Sequence, residues 1–96
     1  MDTILPSEIK ERLDRGEQLA IVDVREDDEV AAGIIPGAKH IPLAQLPDRL
    51  SEIPQVEELI LVCRSGNRSG RAISFLEAQG YKGLKNMTGG MLEWED

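Results

Sequence analysis

The chain has 96 residues, 41% apolar and 30% charged, with a formal net charge of −7. This length suits one domain spanning residues 1–96 and leaves no room for two. The acidic balance excludes duplex nucleic acid and anionic membrane surfaces as partners, because both need a basic face, and the single cysteine, Cys63, excludes an internal disulfide, a disulfide-stapled secreted fold and a CxxC zinc or redox motif.

Taken in order, the first residues Met1-Asp2-Thr3-Ile4-Leu5-Pro6 carry no basic head and no long apolar segment. No signal peptide is therefore expected. No later stretch approaches the roughly 20 apolar residues that span a bilayer, so a cytoplasmic location is expected by default. Ser7 is placed to cap a first helix, with Ile9 and Leu13 on one face and Gly16 as its stop. Leu19 to Val24 is a nearly continuous apolar run, as in a strand buried on both faces. Glu26 to Ala32 reads as a short helix closed by Gly33. Ile35 to Ala38 is a turn, and Lys39 to Ile41 a short strand. Leu43 to Ile53 forms one or two helical turns broken at Pro47 and Pro54.

The clearest strand is Leu59-Ile60-Leu61-Val62, four apolar residues with no polar one, and the clearest helix is Ser69 to Gln79, ended by Gly80. Leu84 to Met87 is a last strand, Gly89-Gly90 a flexible loop, and Met91 to Glu95 a final helical turn. Only Phe75, Tyr81 and Trp94 are aromatic, so the core is expected to be aliphatic. Strands alternating with helices in so short a chain imply an α/β fold: a small parallel sheet with right-handed crossovers and helices on both faces. Ligands bind such sheets at the carboxyl ends of the strands. That rule singles out Asp23 to Arg25, Cys63 to Arg68 and Asn86 to Gly90.

Cys63 directly follows the most apolar strand, and Cys63-Arg64-Ser65-Gly66-Asn67-Arg68-Ser69 leads into a helix. Successive N–H groups in a tight strand-to-helix turn converge into an anion-binding nest, and the helix N-terminus adds about half a positive charge. A cysteine there is expected to be largely thiolate at neutral pH. Gly66 and Asn67 suit a left-handed or strained loop backbone. Ser65 and Ser69 offer hydroxyls, and Ser69 can also cap the helix. Residues 63 to 71 hold Arg64, Arg68 and Arg71 and no acid, a local +3 that leaves the other 87 residues at −10. Cations are disfavoured at a helix N-terminus, so Arg68 and Arg71 need an anion between them and the helix end. Asp23 with Arg25, and the lone histidine His40, read as structural.

The chain resembles the rhodanese family across nearly its whole length. The matching pieces are Asp23-Val24-Arg25-Glu26, Gly33 to Ala38 leading to His40-Ile41-Pro42, the loop Cys63 to Ser69, Gly80-Tyr81, and Gly89-Gly90-Met91 with Trp94. The resemblance implies a rhodanese-like domain in which Cys63 takes sulfane sulfur from thiosulfate or a similar donor and passes it to cyanide or a thiol. The backbone from Arg64 to Ser69 then matches the persulfide cradle, Arg64 and Arg68 are placed to hold an anionic donor, and Asp23 with Arg25 matches a mainly structural pair. It implies no metal or cofactor, and a thioredoxin-like or sulfur-relay protein as a further partner. Two departures stand out. Ile34 replaces a histidine frequent in the family, and many members continue past the tryptophan whereas this chain ends at Asp96, so an abbreviated final helix is expected.

Two other readings remain. A cysteine phosphatase or arsenate reductase uses a similar cradle, but needs arginine after five intervening residues, where this chain has Ser69. A non-catalytic rhodanese-like module would bind a partner without using Cys63. Thiocyanate production, phosphate-ester hydrolysis and partner binding that survives loss of Cys63 separate the three.

Overall fold

The computed structural model describes residues 1–94. In chain order the elements are β1 (Asp2–Ile4), α1 (Pro6–Asp14), β2 (Ala20–Asp23), α2 (Asp27–Ala31), β3 (Lys39–His40), 3-10 turns at Leu43–Asp48 and Leu50–Glu52, β4 (Leu59–Val62), α3 (Asn67–Ala78), β5 (Leu84–Met87) and a 3-10 turn at Gly90–Glu93. All strand pairings are parallel, in the order β1-β5-β4-β2-β3. This is the expected parallel α/β sheet, with β4 at its centre.

The apolar run of β4 is explained by burial on both faces. Leu59, Leu61 and Cys63 join a cluster with Ala72, Ile73 and Leu76 of α3, while Ile60 and Val62 join one with Ile9 of α1, Ile35 and Met87. Side chains alternate across a strand, so four consecutive apolar residues serve two cores. Each such side chain contributes about 1.5–3 kcal/mol of burial. The strand that carries Cys63 at its end is therefore the most firmly anchored segment of the chain. The core is aliphatic, as the scarcity of aromatics implied. No helix among the described residues is long and apolar enough to cross a membrane.

Several boundaries differ from the sequence expectation, each for a physical reason. A strand, β1, precedes the first helix and pairs Ile4 with Met87 at the sheet edge. The helix begins at Pro6, not after a Ser7 cap: Leu5 is held extended by the following proline, and its N–H donates to the Glu8 carboxylate at 3.3 Å. Pro47 does not break the turn at Leu43–Asp48 but sits inside it, since a short 3-10 segment needs few of its N–H groups. The longest helix begins two residues early, at Asn67, with Gly66 as its N-cap, so Ser69 lies inside the first turn and caps nothing. Gly89 and Gly90 adopt left-handed backbone conformations and lead into the last turn. Glu95, expected in that turn, lies outside the described residues.

The candidate active site around Cys63

Chain direction and register bring the carboxyl ends of β2, β4 and β5 together. Asp23 is in register with Val62, and Leu61 with Asn86. Cys63 thus emerges between the segments that follow Asp23 and Asn86. Its side chain is buried, 1% exposed, on the α3 face of the sheet.

The loop curls around the sulfur. Gly66, in the left-handed region at φ 106°, donates its N–H to Cys63 Sγ at 2.9 Å. The N–H groups of Ser65 and Ser69 also point at the sulfur, and the Ser69 hydroxyl lies 3.2 Å away. Burial pushes the Cys63 thiol up, but these four hydrogen bonds outweigh it and hold the thiol below its ordinary range. The nest expected from the loop is present, and it is aimed at the cysteine.

The loop is closed from below by the last turn. Met91 N–H donates to the Cys63 carbonyl at 2.8 Å and Leu92 N–H to the Arg64 carbonyl at 3.0 Å. With these carbonyls turned away, the following N–H groups are left to face the sulfur. Gly90 lies so close beneath that a Cβ there would fall 2.4 Å from the Arg64 carbonyl carbon, and its φ of 63° disfavours any side chain as well. What read as a flexible Gly89-Gly90 loop is the floor of the site.

Asn86, which the sequence marks only as the edge of a segment, also belongs to the surroundings of Cys63. Its Nδ2 donates to the Gly66 carbonyl at 3.0 Å, and its Oδ1 accepts the Ser69 hydroxyl at 2.6 Å. It ties the loop to β5 at both points. Alternation along β5 puts Asn86 on the same face as Leu84, hence on the Cys63 side; a polar residue at that place in a buried strand was the available signal.

The arginines divide. Arg64 is exposed and has no ion pair among the described residues. Arg68 is largely buried and makes a two-point ion pair with Glu29 of α2, at 2.7 and 2.8 Å. The anion required near the helix start is thus supplied, at least for Arg68, by the protein itself. Arg68 in turn holds the Glu29 carboxyl well below the usual carboxylate range, at about 2, helped by the Glu26 N–H. Asn67 is exposed in the first turn of α3, with ordinary helical backbone.

Asp23 and Arg25 form the expected structural pair. Arg25 Nη2 lies 2.8 Å from Asp23 Oδ2, with the carboxylate fully buried. The same guanidinium donates to the Gly33 carbonyl at 2.7 Å and, more weakly, to the Glu29 carbonyl at 3.4 Å. Since α2 buries no residue of its own, these contacts and the Arg68 pair hold it against the sheet. His40 bonds the Arg25 carbonyl through Nε2 at 2.7 Å, in keeping with a structural role.

A buried cysteine at the end of the central strand, ringed by hydrogen-bond donors at a helix N-terminus, defines a small parallel α/β domain built to stabilise negative charge on one sulfur. Comparison with known proteins gives that class a family. The model of the rhodanese-like domain matches residues 5–96, and the chain belongs to that family. A sulfurtransferase of Allochromatium vinosum is 40% identical over 86 residues, covering 90% of this chain and 80% of that one. The crystal structure of a rhodanese-like domain protein from Staphylococcus aureus superposes with a TM-score of 0.91 at 41% identity, covering 100% of this chain and 93% of the other. The human single-domain sulfurtransferase TSTD1 is similar at a TM-score of 0.78 and 29% identity, over 98% and 95% of the two chains.

Proposed function

We propose that this chain is a single-domain sulfurtransferase that moves sulfane sulfur from thiosulfate, or a similar small anionic donor, to cyanide or a thiol acceptor through a persulfide on Cys63. The observation that carries this reading is the ring of donors around one sulfur: the Gly66 N–H at 2.9 Å, with the Ser65 and Ser69 N–H groups beside it. The Cys63 thiolate attacks the outer sulfur of thiosulfate. A new S–S bond forms, the thiosulfate S–S bond breaks, and sulfite leaves with the bonding pair. The acceptor's cyanide carbon or thiolate sulfur then attacks the terminal sulfur, and the Cys63 thiolate departs. The cycle balances without an outside oxidant, reductant or cofactor.

In this scheme Ser65, Gly66 and Ser69 stabilise the developing charge from the backbone, and Gly66 also gives the loop its turn. Arg64 and Arg68 flank the approach of the donor, and Asn67 opens the helix beside it. A thioredoxin-like or sulfur-relay protein is a fitting thiol acceptor, and the cytoplasm a fitting location. A phosphatase reading is disfavoured because Ser69, not an arginine, occupies the clamping position and is fully buried against the sulfur. The test is a side-by-side assay with thiosulfate plus cyanide and with an aryl phosphate. Thiocyanate without phosphate release is the expected result; phosphate release without thiocyanate overturns it.

A further inference from the structure

The Glu29–Arg68 pair has features that a solvated surface bridge lacks. Both side chains are about three-quarters buried, at 23% and 26% exposure. The geometry is a two-point fork, the arrangement by which a guanidinium also binds the paired oxygens of a small oxyanion. Glu29 is fixed from other directions too: its Oε1 accepts the Glu26 N–H at 2.9 Å, and its carbonyl accepts from Arg25. Arg68 sits in the first turn of α3, within the loop that surrounds Cys63. Its fork is already filled by Glu29.

We propose that Glu29 is a specificity-determining residue: its carboxylate occupies the Arg68 fork as a built-in competitor, and so sets how weakly the site attracts small anionic reagents relative to uncharged ones. This deepens the sulfurtransferase reading and rests on it for the identity of the donor. An oxyanion reaching Arg68 must displace Glu29, exchanging one charge-assisted pair for another at little net gain. An uncharged reagent meets no such exchange. Exposed Arg64 keeps its charge available for donor attraction.

The test uses two readouts. One is the KM for thiosulfate in thiocyanate formation. The other is the ratio of Cys63 alkylation rates by iodoacetate and iodoacetamide, which differ in charge and need no sulfur-transfer activity. Glu29→Gln should raise the iodoacetate-to-iodoacetamide ratio and lower the thiosulfate KM, each by roughly three- to tenfold. Adding Arg68→Gln should abolish both gains, because the freed fork is their source. Glu29→Asp keeps the charge but falls one methylene short, and should move the ratio the same way by less. A ratio unchanged in both Glu29 variants overturns the proposal, as does a gain that survives loss of Arg68. If no variant makes thiocyanate while the ratio still responds as described, the sulfurtransferase reading fails and the competitor role of Glu29 stands.

Discussion

The Ser69 hydroxyl lies 2.6 Å from Asn86 Oδ1, closer than the 3.2 Å that separates it from Cys63 Sγ. A hydroxyl has one proton. While Cys63 is a thiol, S–H can donate to Ser69, which donates to Asn86. With Cys63 a thiolate, a hydroxyl turned to the sulfur leaves Asn86 Oδ1 without that donor. Asn86 Oδ1 and the sulfur therefore stand as alternative acceptors of one proton.

This relationship predicts two shifts in the same direction. Ser69→Ala removes a donor to the thiolate, and Asn86→Asp adds a charge that claims the Ser69 proton more strongly. Both should move the Cys63 ionisation toward alkaline pH, read as the pH profile of iodoacetamide alkylation. An unmoved profile in Ser69→Ala would show that the hydroxyl never serves the sulfur.

Gly90 is predicted to be intolerant of a side chain. A Cβ there meets the Cys63 and Arg64 backbone at 2.4 to 2.6 Å, and the left-handed conformation adds strain. Gly90→Ala should cost about 2 kcal/mol or more in urea unfolding and distort the cradle, lowering Cys63 reactivity in the protein that remains folded. A variant as stable and as reactive as the parent would mean that the last turn is not the floor of the site.

Removing Arg64 should weaken donor attraction without touching the cradle. Arg64→Ala is expected to raise the thiosulfate KM by roughly fivefold, about 1 kcal/mol, at low salt, with kcat little changed. The difference should shrink at high ionic strength. Identical kinetics at low salt would leave Arg64 as a solvated charge only.

Acid should destabilise the fold through Glu58 as well as Glu29. Glu58 is held at about 2, chiefly by Arg12, which it meets at 2.7 Å; burial opposes this, and Lys85 adds to the Arg12 effect. A carboxyl depressed in the folded state contributes stability that is complete above its unfolded value, near 4.5, and lost as pH falls toward 2. Urea midpoints should be steady from pH 7 to about 5 and decline below that. Glu58→Gln should be less stable at pH 7 and lose less on acidification; equal acid sensitivity would remove Glu58 from the account.

The sheet was legible where burial writes a continuous pattern. Leu59–Val62 stands out because both faces of the central strand need apolar side chains, and the cysteine after it is placed by that strand. Strand β1 was not legible: only Ile4 of its three residues is buried, and an edge strand needs little more. The cap at Ser69 was misread because Gly66, through its left-handed backbone, starts the helix earlier and frees the serine to face the sulfur. The Glu29–Arg68 pair joins residues 39 positions apart, and no local pattern announces it. Asn86 showed only as a polar residue beside Lys85 in a short strand, a weak signal because its partners Gly66 and Ser69 lie in another segment.

Sulfur transfer by the proposed route requires that Cys63 itself carry the sulfur. Intact mass after incubation with thiosulfate tests it most directly. One added sulfur atom per chain is expected, released as thiocyanate on adding cyanide and absent from a folded Cys63→Ser variant. A parent protein that gains no sulfur, or a Cys63→Ser variant that gains it equally, would show that Cys63 does not carry it.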